Sequence, residues 1–428
     1  MDGAVGRPVA AMRTLLLLGV AVCLARAQEV NPPHLAAAKQ LAKKETCLRF
    51  ARECGEHLLG MARPTEHGLT ATERPDVYAG DAGVALFLFD LHAATGEKRW
   101  RDAARKLLAH ALALDRARAP DPALYTGTAG LGHVCLDAWR ATADDRFLSE
   151  ARACAARLRK AGPYTVTDII TGAAGTGIFL LNLYAATRDE QHLRRARAAG
   201  DYLVRTAVRK DGTASWPVRP GHPSATYLGL SHGAAGVGYY LLHLHRVTQK
   251  KAYRGLAEEA ARFVLAHAVA DGADGYKWTK IQPPRKDAHP VQWCHGSPGI
   301  GLFFCDLERH LGAKAYRKPL DRCLAATRRD GRTARVGGCQ CHGVSGNAEL
   351  FIEAFRLRGD KRLMDTARLF GSALLEPHGK TYRVQLALGN YRYPPGYMLG
   401  VAGIGRYFLR LAAPEKTPLP LTCPAEAP

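Results

Sequence analysis

The sequence predicts an all-α protein built from seven helical hairpins, and two patterns support this. A Gly-x-x-Gly motif recurs seven times along the 428 residues, and each copy leads into a nearly apolar segment typical of a buried helix. Charged segments with amphipathic helical spacing separate the copies. The repeating unit is therefore an outer amphipathic helix, a glycine turn and an inner buried helix.

The motif and its flanking segments locate each element. The first glycines of the copies are Gly80, Gly127, Gly172, Gly233, Gly296, Gly343 and Gly400. Apolar inner segments include Val84–Leu91, Ile178–Tyr184 and Val237–Leu244. Amphipathic outer segments include Arg99–Arg116, Asp145–Lys160, Gln191–Arg205 and Lys251–His267. Glycines permit positive φ and close backbone approach, so closure into a ring would gather all seven turns around a central mouth. An open solenoid is the alternative.

The first 27 residues have the pattern of an export signal: Arg13, then the apolar run Leu15–Leu24, then the small-x-small sequence Ala25–Ala27. We therefore expect a signal peptide at 1–27, one domain at 28–415 and a C-terminal tail at 416–428. The mature protein would be periplasmic or secreted, with an uncleaved N-terminal anchor as the alternative. No later stretch is long and apolar enough to cross a bilayer.

The chain is strongly basic, with a formal charge of +21. The basic residues are scattered over helix faces and no nucleic-acid-binding motif accompanies them, so we expect a solvated basic surface and no nucleic-acid partner. The 11 cysteines would tend to pair in an oxidising compartment. The sequence alone does not choose partners for Cys339 and Cys423.

Two turns carry thiols, in the sequences Trp-Cys-His-Gly and Cys-His-Gly, which place Cys294 and Cys341 at the same position of adjacent repeats. Repeat equivalence would bring Cys294, Cys341 and His342 together. Two thiolates and an imidazole with one open position are the donor set of a catalytic zinc site. Two buried cysteines and a core histidine are the alternative. We expect His295 beside the metal, and Cys339 stays open as a rival ligand.

Two further turns carry ionisable groups. Asp168 lies four residues before Gly172, and His232 directly precedes Gly233. His232 could act as a general acid or base near neutral pH, and Asp168 could orient it, take a proton or hold substrate. A structural cap or a surface polar residue is the alternative for each.

Three stretches resemble signatures of the LanC lanthionine synthetase family, including its eukaryotic LanC-like branch. They are Tyr227–Gly233, Trp293–Gly299 and Cys341–Gly346. The likeness extends from about Gly80 to Leu411, because all seven turns are present. It implies an α/α toroid of seven inner and seven outer helices with one zinc ion at its mouth.

The resemblance also implies residue roles. Cys294, Cys341 and His342 match the metal ligands, and Asp168 and His232 match residues assigned to acid–base work in the bacterial cyclases. Family members add a thiol to dehydroalanine or dehydrobutyrine, which makes a thioether. We therefore expect a zinc-dependent enzyme, a monomer, that activates a peptide cysteine or glutathione.

This sequence departs from the bacterial pattern at Pro290, where those cyclases often carry an arginine. Arg285, Lys286 or Arg392 would then have to supply positive charge. The sequence around Trp293 is closer to the LanC-like branch, in which glutathione is the thiol donor.

Two other function classes stay open. One is a zinc-stabilised toroid that binds acidic peptides without catalysis. The other is a carbohydrate-active toroid, whose chemistry needs two carboxylates across a cleft. Asp168 with either Glu349 or Asp81 would be the pair.

Overall fold

The computed structural model describes residues 32–222, 226–285, 288–312, 314–332, 337–388 and 391–424. The helices in these ranges are α1 (Pro32–Gln40), α2 (Lys44–Met61), α3 (Asp81–Thr95), α4 (Lys98–Arg116), α5 (Thr128–Thr142), α6 (Asp145–Arg157), α7 (Ala173–Thr187), α8 (Glu190–Thr206), α9 (Ala234–Thr248), α10 (Lys251–Ala266), α11 (Ser297–Leu311), α12 (Lys314–Asp330), α13 (Val344–Arg358), α14 (Lys361–Ser372) and α15 (Val401–Ala412). The expected signal peptide at 1–27 lies outside the described residues. Among the helices described, none has the length and apolar character needed to span a membrane.

The helices form two concentric rings, as predicted. Odd-numbered helices from α3 to α15 make the inner ring, and even-numbered helices from α2 to α14 make the outer ring. Each outer helix packs on the inner helix before it, except α2, which packs on α15. Because α15 also packs on α3, the ring is closed, and the open solenoid is excluded. The predicted outer segment Asp145–Lys160 is α6 followed by a 3₁₀ turn at Leu158–Lys160.

The loops between the helices contain short two-stranded antiparallel ladders, which the sequence patterns did not predict. They pair β1 (Arg63–Thr65) with β2 (Gly68–Thr70), β3 (Val208–Lys210) with β4 (Thr213–Ser215), β5 (Thr226–Tyr227) with β8 (Ile281–Gln282), β6 (Val269–Asp271) with β7 (Gly275–Lys277), β9 (Leu375–His378) with β10 (Thr381–Val384), and β11 (Ala387–Leu388) with β12 (Tyr391–Arg392). The β5–β8 ladder joins distant parts of the chain and sets Tyr227 opposite Ile281.

A closed circle of backbone hydrogen bonds joins the loops before the inner helices. We call it the turn ring, and its members are the residues two positions before each first glycine. They are Tyr78, Tyr125, Ile170, Ser231, Cys294, Cys341 and Met398. Six of the seven N–H donors belong to these residues, while Ile169 donates in place of Ile170, and the N···O distances are 2.8–3.3 Å. Because Met398 donates to Tyr78, the circle has no free end.

The second glycine of every motif is required by close contact. A Cβ at Gly83, Gly130, Gly175, Gly236, Gly299, Gly346 or Gly403 would lie 1.7–2.2 Å from the carbonyl oxygen six residues earlier. Positive φ, which we also expected of the turns, occurs among the first glycines at Gly296 (φ +130°), while the other six are extended. Steric exclusion therefore explains most of the motif.

Replacing one of these glycines should reverse the usual effect of Gly→Ala in a helix. At Gly236 the new methyl would meet the Leu230 carbonyl at 2.0 Å, so we expect Gly236→Ala to destabilise the protein by about 1–3 kcal/mol. The matched control is Gly255→Ala in α10, where nothing lies within 4 Å and a gain of about 0.4–1 kcal/mol is expected. Urea unfolding measures both, and equal signs would contradict the contact argument.

Candidate functional site

The turn ring brings the predicted thiols into contact. The N–H of Cys294 donates to the carbonyl of Cys341 at 3.0 Å, because the two are consecutive members of the ring. Their thiols hydrogen-bond each other, and the His342 imidazole hydrogen-bonds the Cys341 thiol. Both cysteines are buried. The predicted donors are therefore one cluster, at the N-terminal ends of α11 and α13.

Cys341 is the ionised member of this cluster. Hydrogen bonds from Cys294, His342 and Tyr78 lower the pKa of Cys341 to about 5, although burial opposes the change. The same hydrogen bond, with burial, raises the pKa of Cys294, which keeps its proton. A thiolate beside a thiol and an imidazole is a donor set that suits zinc. The residues therefore fit the ion in their chemistry.

Cys339 also reaches the cluster. A hydrogen bond with the Cys339 thiol, followed by one with Cys341, raises the pKa of His342 to about 10. In the described part of the chain, the donor atoms of Cys294, Cys341 and His342 do not all lie within 4.8 Å of one another. Because His342 hydrogen-bonds the sulfurs of both Cys339 and Cys341, Cys339 remains an alternative metal ligand to Cys294 or Cys341.

Tyr78 is the contact that the sequence analysis missed. Its hydroxyl donates to the Cys341 sulfur at 3.0 Å, and in the turn ring only Met398 separates the two residues. The repeat did contain a signal for it, because Tyr78 and Cys341 occupy equivalent positions, two residues before Gly80 and Gly343.

Asp168 and His232 are brought together as a pair. The Nδ1–H of His232 donates to Oδ2 of Asp168 at 2.7 Å. Asp168 is fully buried, and its Oδ1 accepts the backbone N–H of Thr171 at 2.7 Å. The His232 side chain is 35% exposed. Asp168 therefore fixes the ring and its tautomer, and leaves Nε2 available to a substrate.

A group of three rings connects this pair to the thiol cluster. His295, which directly follows Cys294, stacks on His232 with ring centroids 5.9 Å apart, and Tyr227 packs on His295 at 5.4 Å. Burial, then the charges of His232 and Lys280, lower the pKa of His295 to about 3. His295 therefore stays neutral, and its buried Nδ1 has no hydrogen-bond partner among the described residues. His295 thus lies between His232 and the thiol cluster.

Lys280 places a positive charge near the mouth, and sequence reasoning did not find it. Its positive charge acts on both Cys294 and His295. The Leu228 N–H donates to the Lys280 carbonyl at 3.2 Å, so the β5–β8 ladder holds its backbone beside the His232 turn. Of the three cations suggested by the sequence, Arg392 lies near His57 of α2 instead, where its positive charge contributes to lowering the pKa of that histidine. Lys286 lies outside the described residues.

A second group of metal-ligating side chains lies in the bore, toward the C-terminal ends of α9 and α11. The donor atoms of His243, Asp306 and His310 all lie within 4.8 Å of one another. However, Arg246 can only donate to Nδ1 of His243, at 3.1 Å, so Nε2 carries the proton that is donated to Asp306 at 2.9 Å. Arg309 also pairs with Asp306. Both nitrogens of His243 are thus committed, and two guanidinium groups would repel a cation, so we interpret the group as a hydrogen-bonded network.

The carboxylates considered for a carbohydrate site are bound to other side chains. Asp81 is fully buried and accepts the Thr70 hydroxyl at 2.6 Å. Glu349 is fully buried and pairs with Arg410 at 2.6 Å. Since Asp168 already pairs with His232, the geometry gives no support to two carboxylates facing each other across a cleft.

The cysteines of residues 32–424 are unpaired. All ten are buried, so burial rather than disulfide formation accounts for them within the described ranges. Cys423, for which the sequence left a partner open, lies against Tyr239 in the bore.

Removing the Tyr78 hydroxyl should make the Cys341 thiolate less stable. In metal-free protein we expect Tyr78→Phe to raise the pKa of Cys341 by about one unit, because a donor to a charged sulfur is lost. The pH dependence of iodoacetamide alkylation at Cys341, followed by peptide mass spectrometry, measures it. Tyr227→Phe is the control at the same mouth, and an equal shift in both variants would contradict a specific role.

Comparison with known proteins identifies the family and the fold of the chain. Residues 71–422 match the family model described as lanthionine synthetase C-like protein. The chain is 26% identical over 146 residues to glutathione S-transferase LANCL1 of Danio rerio, and this match spans 34% of each chain, about a third of the relative's length. Nisin cyclase superposes with a TM-score of 0.63 at 16% identity, covering 89% of this chain and 95% of that one. A GH76 α-mannanase from Bacteroides thetaiotaomicron has a TM-score of 0.51 at 10% identity, over 86% and 96%. At these identities the solved structures establish the shared α/α toroid, whereas the family model, matching most of the sequence, shows that the chain belongs to the lanthionine synthetase C-like family.

Proposed function

We propose that this protein is a zinc-dependent enzyme that adds a thiol to a dehydroamino acid and so forms a thioether. The observation that carries the proposal is that a thiol cluster with an ionised Cys341 lies at the same mouth as buried Asp168 and its partly exposed partner His232. Family membership supports it. The names of two relatives, a glutathione S-transferase and a nisin cyclase, favour a thiol donor and a peptide substrate.

Cys294, Cys341 and His342 would hold the zinc ion, and Tyr78 would keep the Cys341 sulfur in place. The ion would supply the Lewis acidity that keeps a substrate thiol ionised near neutral pH. Export, which rests on the pattern at 1–27, would place these thiols in an oxidising compartment, where a bound metal would protect them.

His232 would move the proton. Its Nε2 accepts the proton of the substrate thiol, while Asp168 stabilises the imidazolium through Nδ1. The thiolate forms a C–S bond at the β-carbon of the dehydroamino acid, and the π electrons move onto the carbonyl as an enolate. His232 then returns the proton to the α-carbon, which completes the addition without any other reactant.

The decisive experiment combines zinc analysis with a thiol-addition assay on a dehydroalanine peptide, with glutathione or a cysteine in the same peptide as donor. We expect one zinc ion per chain and loss of both zinc and activity in the Cys294→Ala/Cys341→Ala variant. His232→Ala should keep its zinc and lose about 10²–10⁴-fold in kcat, as expected for a general acid–base residue. Asp168→Asn should also lower kcat.

Cys323→Ser, which changes a buried cysteine of α12, is the matched control and should keep both zinc and turnover. Zinc loading and addition that survive the double cysteine change would overturn the proposal. Tight peptide binding and full zinc loading without turnover would instead identify the non-catalytic peptide-binding toroid.

Lys280 would bind a carboxylate of the substrate, in place of the arginine absent at Pro290. It is an exposed cation, so its ion pair should be modest, and we expect Lys280→Met to raise KM about 2–5-fold with little change in kcat. Arg285→Met, on the same connection, is the control. A larger KM effect at Arg285 than at Lys280 would assign the role to Arg285.

A further inference from the structure

The C-terminal segment Thr417–Pro424 lies inside the bore, at the end opposite the mouth. It leaves α15, and Thr417, Leu421 and Cys423 are buried there. The segment forms no helix or strand, and prolines at 418, 420 and 424 limit its conformations. The predicted tail therefore lies within the toroid over Thr417–Pro424.

Inner helices hold this segment mainly by its backbone. Its carbonyl oxygens accept from Arg410 at Thr417 (2.8 Å), from Arg406 at Pro418 (2.8 Å), from Asn182 at Thr422 (2.8 Å) and from Arg246 at Pro424 (3.4 Å). The Cys423 N–H donates to the Tyr239 hydroxyl at 3.0 Å. The donors belong to α7, α9 and α15, so the contacts surround the segment.

Two of these donors are guanidinium groups without solvent access. Arg410 is fully buried and pairs with Glu349 and Glu353, each at 2.6 Å, and Arg406 is 2% exposed and pairs with Asp90 at 2.5 Å. An arginine keeps its charge and has five N–H donors, so these carboxylates do not use all of them. Each guanidinium therefore presents remaining N–H groups to the bore, where a peptide carbonyl satisfies one.

Leu421 shows that the bore imposes the conformation of the segment. Its φ is +57°, which is unfavourable for a residue with a side chain, and it is 2% exposed. Leu421 also lines a cavity of about 40 Å³, together with Tyr125, Trp293 and Met398 of the mouth loops. The segment is thus the floor of the space below the turn ring.

We propose that this end of the bore is a binding site for short proline-rich peptides, occupied in cis by the chain's own segment Thr417–Pro424. The site recognises carbonyl groups through buried arginines and an apolar side chain through the cavity, as other proline-rich recognition sites combine backbone and side-chain contacts. It is separate from the thiol cluster and does not depend on the proposed reaction. The bound segment is exchangeable, and its release opens the bore opposite the mouth.

The test cuts the folded full-length chain at a protease site inserted between Glu415 and Lys416, both of which are exposed. The peptide 416–428 should stay bound after cutting and exchange with a fluorescent copy, followed by anisotropy and gel filtration. Tyr239→Phe, which removes the acceptor of the Cys423 N–H, should weaken binding of the labelled peptide about 5–10-fold. Tyr240→Phe is the matched control, because its neighbouring hydroxyl donates to Ala196 of α8 instead.

Failure of the labelled peptide to enter the folded, cut protein would overturn the proposal, as would equal affinity in the two tyrosine variants. Unfolding upon loss of the peptide would also overturn it, since the segment would then be a permanent part of the core. Hydrogen exchange on the uncut chain gives an independent measurement. Residues 417–424 should exchange at least tenfold faster than the core of α9, and equal protection would contradict exchangeability.

Discussion

The close contact at the second glycine of each motif is the constraint on which the rest of the structure depends. It lets the first turn of an inner helix lie on the carbonyl six residues earlier, where a Cβ would be 1.7–2.2 Å away. Each preceding loop is thereby held against its own helix. Seven such loops are then close enough to exchange backbone hydrogen bonds, and the turn ring closes. The site follows from that closure, because equivalent positions of neighbouring repeats become neighbours in space.

The two ends of the inner ring differ electrostatically. Inner helices begin at the mouth, so their positive ends face the cluster that contains the Cys341 thiolate. Their C-terminal ends carry Arg246 and Arg410, whose positive charges suit the negative end of a helix. The Cys341 thiolate and a set of carbonyl-binding arginines therefore occupy opposite ends of one bore, each on the side that the helix dipoles favour.

Proton positions distinguish the two groups that resemble metal sites. At the mouth, one thiol donates to another, and a cation could replace that shared proton among Cys294, Cys341 and His342. In the bore, Arg246 holds Nδ1 of His243 as an acceptor, so Nε2 cannot lose its proton without forming an anionic ring. Donor distances alone would favour the bore group as the metal site, whereas the hydrogen bonds favour the thiol cluster at the mouth.

The sequence by itself determined the helical hairpins, the seven turns and the equivalence of Cys294 with Cys341, because glycine spacing and apolar periodicity are local properties. Family resemblance added the roles expected of Asp168 and His232, and the structure pairs them at 2.7 Å. Tertiary structure alone decided the contact of Tyr78 with Cys341, the placement of Lys280 and the course of Thr417–Pro424 through the bore. These depend on ring closure, on the pairing of two distant strands and on buried arginines that need acceptors. Such long-range contacts leave no periodic pattern along the chain.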